Sequence, residues 1–324
     1  MADKNSEMNS KKLSMREIMK KYNLLILLLI FIIISSLLSP NFFALNNLFN
    51  IMRSSSFIGI LALGMTFVIL IGGIDLSVGY TANFAGMVAA YSLINGLSVT
   101  LSIVLAILCG ALLGLLSGSV INWFKLPPFI ATLAVMLIAQ GLSLFVTNGN
   151  VINGLPIAFN SIGSAKISGF PLVAIIWIVL TLISYFLLRY TPFGRRLYAM
   201  GGNEESAYLS GINIVKYSII TYIISASLAA FAGVLMASYL TVGQPTAILQ
   251  GETDAIAATV IGGTSMLGGI GSVVGTFGGV ILLQLINNIF NLIGVPPFFQ
   301  YVFKGLIIIL ALILNNFVVK EKNK

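Results

Sequence analysis

Long apolar runs, separated by short polar or glycine-rich breaks, fill nearly the whole chain. The first five lie at Tyr22–Ser39, Ser56–Ile71, Tyr80–Leu97, Leu101–Trp123 and Phe129–Val146. After a polar stretch, Thr147–Gly169, five more follow at Pro171–Leu188, Tyr217–Leu240, Asp254–Gly263, Ser272–Gly294 and Gln300–Val319. A helix crosses the hydrocarbon core with about 20 apolar residues, so these runs predict transmembrane helices. Asp254–Gly263 is too short for an ordinary crossing and predicts a broken or re-entrant element. The pattern is that of an all-α, polytopic membrane protein with about ten spans.

Charge orients this arrangement. Of 324 residues 58% are hydrophobic and 8% charged, against roughly 25% charged in a soluble domain. Of the 17 basic and 9 acidic residues, nine fall in residues 1–21 and four in 320–324, leaving 13 for Tyr22–Val319. With ten spans and a cytoplasmic N-terminus, 14 Lys and Arg lie inside and only Arg53, Lys166 and Lys304 outside. The positive-inside rule selects that orientation, which places both termini in the cytoplasm. The expected organisation is a tail at 1–21, one transmembrane domain at 22–319 and a second tail at 320–324. Ser14–Glu17 fits a capping box, so Leu13–Lys21 predicts a short helix on the membrane surface. A cleaved signal peptide is the other reading, but Leu24–Leu38 is about twice the minimal apolar core of one. The net charge of +8 fits contact with anionic lipid rather than nucleic acid.

The chain has no His and a single Cys, Cys109. Imidazole and thiolate metal sites, Cys-His or Ser-His nucleophiles and disulfides are thereby excluded, and no metal or cofactor is expected. No Gly is followed by Lys, so there is no G-x-x-x-x-G-K phosphate loop and no ATPase site. The chain is not expected to be an enzyme: paired titratable groups for acid–base chemistry reduce to Glu252 and Asp254, near the outer surface.

Polar groups inside the apolar body mark candidate sites, because they are expensive there. Gly72-Gly73-Ile74-Asp75-Leu76-Ser77 lies between two apolar runs, and Asp75 is the only acidic residue between Glu17 and Glu204. The glycines let a helix stop, and Asp75 and Ser77 can cap the next one. The segment is either a discontinuous helix facing a transport path or a tight turn at the surface. Gly262-Gly263-Thr264-Ser265 repeats the Ile-Gly-Gly pattern in the other half, adding Thr264 and Ser265 to the candidate path. Gly110, Gly114 and Gly118, and Gly271, Gly275 and Gly279, are spaced to line one helix face each for close packing.

The largest internal hydrophilic segment, Arg189–Lys216, is expected in the cytoplasm. Pro192 starts one helix, Gly201-Gly202 breaks it, and Asn203-Glu204-Glu205-Ser206-Ala207 starts another. Such a helix-break-helix exceeds what a connection needs and predicts a docking surface, with Arg195, Arg196, Glu204 and Glu205 at its polar rim.

These stretches, together with Leu38–Phe43, Phe129–Leu133, Thr147–Gly149, Gln244–Thr246, Asp254–Gly263 and Leu285–Asn288, resemble the permease subunit of bacterial ABC-type sugar importers over nearly the whole chain. The resemblance implies a homodimer in the bacterial cytoplasmic membrane with a monosaccharide path, ribose leading among the sugars. It also implies a separate cytoplasmic ATP-binding subunit and an extracytoplasmic sugar-binding protein. Gly194–Gly211 then corresponds to the loop that couples to the ATPase. Thr253 stands where that family more often has an apolar residue. The alternative is an autonomous secondary transporter or channel, although ion-coupled carriers place several ionisable groups within the membrane and Asp75 is the only strong one in the first half.

Overall fold

The computed structural model describes residues 23–306 and 309. Within them the chain forms α1 (Asn23–Leu38), α2 (Leu45–Leu70), α3 (Val78–Ile94), α4 (Val99–Phe124) and α5 (Pro128–Phe145). The polar stretch then holds a short helix, α6 (Ile157–Ser164), and an antiparallel hairpin of β1 (Lys166–Ile167) and β2 (Phe170–Pro171). There follow α7 (Leu172–Tyr190), α8 (Pro192–Gly202), α9 (Glu204–Leu209), α10 (Ile214–Leu240), α11 (Gly251–Ile261) and α12 (Val273–Leu292), with residues 297–306 again helical. The tail at 1–21, the surface helix at Leu13–Lys21, the far part of the last apolar run and the tail at 320–324 lie outside the described residues.

Among the described residues six helices are long and apolar enough to cross a membrane: α2, α4, α5, α7, α10 and α12. At 11 residues α11 rises about 16 Å, too little to cross. α2 begins eleven residues before the run at Ser56, because Asn46, Asn47, Asn50 and Arg53 dilute the apolar signal of its first turns.

α2 and α10 form the centre. The second half of α2, from Gly59 to Leu70, is buried on every side, and α3 is enclosed over most of its length. Contact between α4 and α10 depends on the absence of side chains. A Cβ on Gly114 would lie 2.5 Å from the Tyr222 carbonyl oxygen and 2.7 Å from the Ala226 Cβ, while Gly110 faces Ala230 and Gly118 faces Ile219. The second glycine series corrects the sequence reading. Gly271 lies in the turn before the Ser272 cap, and only Gly275 and Gly279 are on α12, where they meet the Gly262 and Ala258 carbonyls of α11.

The two ends of α10 carry matching cation–aromatic contacts. The Arg196 guanidinium lies 4.9 Å from the Tyr217 ring centre, and that of Arg53 lies 5.3 Å from the Tyr239 ring. The tyrosines are 22 residues apart, about 33 Å along the helix, close to the roughly 30 Å of a hydrocarbon core.

Gly114→Val should therefore destabilise the fold by about 1–3 kcal/mol through overpacking. Gly141→Ala, whose Cβ would meet nothing within 4 Å, should leave the melting temperature unchanged or slightly raised. Thermal unfolding of both variants in detergent checks this, and equal melting temperatures would refute the packing assignment.

Candidate functional site

Two helices, α2 and α11, stop beside one another, and they stop in the same way. At the end of α2 the Gly73 N–H bonds to the Val68 carbonyl and the Gly72 N–H to that of Ile69, with Gly72 left-handed at φ +77°. At the end of α11 the Thr264 N–H bonds to Thr259 and the Gly263 N–H to Val260, with Gly263 at φ +89°. Both are Schellman ends. The left-handed glycine is the first of the pair in one and the second in the other, so the two Ile-Gly-Gly motifs are offset by one residue. Gly96, Gly211 and Gly294 end other helices with the same bonds, so this geometry is an ordinary helix stop. Gly72 and Gly263 are exposed like those glycines, but the residues that follow them, Gly73 and Thr264, are buried, and this sets the two stops apart.

One carbonyl remains after the α2 cap, that of Leu70, and it accepts the Gly269 N–H at 2.9 Å. The two interruptions are thus joined backbone to backbone. Beyond Gly73 the chain is held from both sides. Asp75 is fully buried and accepts the Ser77 N–H at 3.0 Å, the Ser77 hydroxyl at 2.6 Å and the Ser225 hydroxyl of α10 at 3.0 Å. Thr132 of α5 donates to the Ile74 carbonyl at 3.1 Å, and its hydroxyl accepts the Leu76 N–H at 3.2 Å. Asp75 therefore caps the turn into α3. Ser77 makes no side-chain cap of its own, because its hydroxyl is committed to Asp75. Ser265 steadies the second interruption: its N–H donates to the Ile270 carbonyl at 2.8 Å, and its carbonyl accepts the Gly268 N–H at 3.0 Å. Thr264 and Ser265 are buried there.

Arg189–Lys216 folds as the helix pair α8–α9 and packs on this joint. Thr191 caps α8, Pro192 is at its start, and Gly194 lies against the Leu188 carbonyl at the tight corner with α7. The break falls at Asn203, not at Gly201-Gly202. Asn203 is extended at φ −160° and its side chain accepts the Ser206 N–H at 2.7 Å, so it ends α8 and caps α9. Gly201 serves a different purpose. It abuts the Leu70 carbonyl and the Gly269 N–H, where any Cβ would overlap both, whereas Gly202 has open space around it. Ala207 is buried in the core, Gly211 is left-handed at φ +82° after α9, and Arg195 is exposed. Arg196 bonds to the Tyr217 hydroxyl as well as lying over its ring, so it braces α8 against α10. On the outer side of α9, Tyr208 and Leu209 are 69% and 78% exposed.

Beside the first interruption lies a cavity of about 800 Å³. Gly72, Gly73 and Tyr222 form its inner wall, and Lys125, Glu204 and Glu205 are among its polar lining. The structure thus brings Gly72 and Gly73 together with the carboxylates of α9, while Asp75, Ser77, Thr264 and Ser265, expected along the same path, are buried and do not line the cavity. Sequence reasoning missed Thr132 and Ser225. It also missed Asn83, whose amide exchanges two hydrogen bonds with the backbone of Ile248, at 2.8 and 3.1 Å. A polar residue at each of these sites was visible, but its partner more than fifty residues away was not.

The comparisons with known proteins agree with this architecture. The chain is 41% identical over 94% of its length to the ribose import permease protein RbsC of Bacillus subtilis, covering 96% of that protein. It is 41% identical over 90% to RbsC of Escherichia coli K12, covering 92% of it, and 35% identical over 93% to the D-allose transport system permease AlsC of the same organism, covering 93%. No solved structure matches. Residues 47–312 match the family described as the branched-chain amino acid transport system permease component, and the chain belongs to that family of ABC-importer permeases.

Proposed function

We propose that this protein is the transmembrane permease of an ATP-binding-cassette importer in the bacterial cytoplasmic membrane, carrying a monosaccharide, with ribose its cargo. The observation that carries the ATP-driven reading is the joint where Gly201 of the coupling loop meets the Leu70 carbonyl and Gly269. A chain without a phosphate loop must receive its energy as motion. Here a motion applied to α8–α9 reaches both helix interruptions through direct backbone contact. A cytoplasmic ATP-binding subunit would dock on α9, where Tyr208 and Leu209 offer apolar surface, and a sugar-binding protein would deliver cargo at the opposite face. Pairing of two copies follows from the resemblance. The full-length similarity to ribose import permeases supports ribose, and its test is ATP-driven uptake of ribose against leucine in vesicles holding the whole complex.

The ten-span arrangement with both termini in the cytoplasm is part of this reading. The lysine and arginine asymmetry supports it, as does the position of Arg196 and Arg53 at opposite ends of α10. α1 and α3, at 16 and 17 residues, and the helical stretch from 297 join the six longer spans, and the tenth crossing is the broken one: the chain from Tyr239, at the Arg53 end, reaches Gly269, at the Gly201 end, through α11 and the irregular segments on either side of it. Cysteine labelling in a background lacking Cys109 should mark position 195 only from the cytoplasm; labelling from outside would overturn the orientation.

Ala207→Pro should abolish co-purification of the ATPase or sugar-dependent ATP hydrolysis while the permease still inserts. The proline removes the bond from the Ala207 N–H to the Asn203 carbonyl and costs the helix about 3 kcal/mol. Leu209→Asp, on the exposed side, should weaken ATPase binding without lowering the melting temperature. Normal assembly and uptake in both variants would show that the pair is not the coupling element.

Asp75→Ala leaves the Ser77 N–H and the Ser225 hydroxyl without their acceptor, and a buried donor left unpaired costs about 1–3 kcal/mol. Both uptake and melting temperature should fall. Wild-type values for both would mean that the carboxylate is idle.

A further inference from the structure

Away from the coupling pair, at the opposite ends of α2 and α12, side-chain amides gather that the path described above does not use. The polarity of the two helices fixes this placement. Leu70 at the end of α2 and Gly271 before α12 meet the coupling helices, the latter through the Tyr198 hydroxyl at 2.9 Å. Asn47 at the start of α2 pairs with Asn288 near the end of α12, the two amides exchanging hydrogen bonds of 2.7 and 3.1 Å. That pair pins the helices together.

Its neighbours have no such partners. Gln284 is only 9% exposed, and its amide makes no hydrogen bond among the described residues. The Asn287 amide makes none either, and its Oδ1 is fully buried. Both residues, with Asn291, border two adjoining cavities of about 310 and 270 Å³, near the lower limit of about 300 Å³ for small-molecule sites. Gln284 lies about 12 Å along the helix from its end at Leu292, so the cleft reaches into the membrane-embedded part. Each amide offers two donors and an acceptor with two lone pairs, and a buried polar group without a partner is costly. Of these amide atoms the Asn287 Oδ1 is sealed off without a partner, while the others open onto the cavities, where water or a ligand supplies their bonds.

We propose that this cleft binds the hydroxyl groups of a neutral sugar on the face of the permease away from the coupling helices. The proposal rests on the importer reading above and names the side chains that receive the cargo. The chemistry selects the ligand class. A sugar hydroxyl donates and accepts at once, as an amide does, and adjacent hydroxyls match adjacent amides. An anion would require a free cation, yet Lys304, which borders the second cavity, is held by Asp254 at 3.0 Å. Tyr301 adds an aromatic wall on which the C–H face of a sugar ring can rest.

The test uses the whole complex of permease, ATPase and sugar-binding protein in proteoliposomes, with radiolabelled D-ribose as the probe. Gln284→Leu and Asn287→Leu should each lower ATP-driven uptake at subsaturating sugar roughly tenfold, equivalent to about 1.4 kcal/mol of lost binding. Their melting temperatures should stay level or rise, because an unpaired buried amide has been replaced by an apolar group. Asn47→Leu, which breaks a paired amide, should lower the melting temperature instead. Normal uptake in both Gln284→Leu and Asn287→Leu would overturn the proposal while leaving the importer reading intact. Melting temperatures that fall in step with uptake would overturn it too, making the amides structural. No ribose uptake by the wild-type complex would overturn the importer reading, and this ligand with it.

Discussion

A helix that ends within a membrane has carbonyls and N–H groups that water cannot reach, and the protein must supply every partner. In the membrane placement proposed above, that constraint governs the centre of this molecule. Each interruption first satisfies itself through a glycine-dependent cap, and what is left over crosses to the other half as the bond from Gly269 to Leu70. The segment beyond α2 is then closed by Asp75, Ser225 and Thr132, which come from three different elements. None of these groups has an alternative partner in lipid, so none can be lost without exposing another.

The same requirement explains why the helix pair α8–α9 sits where it does. Backbone can approach backbone only where side chains are absent, and Gly201 provides that gap opposite Leu70 and Gly269. A loop on the surface is thereby in contact with the two points at which the transmembrane helices are discontinuous. Side-chain contacts accommodate a displacement by changing rotamer. Backbone contacts cannot, so a push at α8 is passed on rather than absorbed.

The apolar helices, the helix pair in Arg189–Lys216 and the short helix at Gly251–Ile261 were legible in the sequence, because hydrophobic length and helix-start residues are local properties. Three features were not. The first turns of α2 were hidden by Asn46, Asn47, Asn50 and Arg53; the partners that account for two of them, Asn288 of α12 for Asn47 and the Tyr239 ring of α10 for Arg53, are far away in the chain. α6 was hidden in a polar stretch because one fully buried side chain, Phe159, anchors its eight residues. The break in Arg189–Lys216 was read at the glycines, whereas the extended Asn203 makes it and Gly201 is needed for proximity. For the candidate path, Asp75 could be singled out by its isolation, but its partner Ser225 is 150 residues away. A single sequence carries no signal for a pairing over that distance.

The two arginine–tyrosine contacts on α10 have a consequence for the lipid. Each combines a charged group with an amphipathic ring, a pairing suited to the headgroup region, and one rigid helix fixes their separation. In the orientation proposed above, the protein therefore carries its own measure of bilayer thickness. A membrane thicker or thinner than about 33 Å must deform around α10 or tilt it, and a tilt of this central helix would shift Ser225 and Tyr222 against the joint below. Acyl-chain length is in this way coupled mechanically to the part of the molecule that stops its helices.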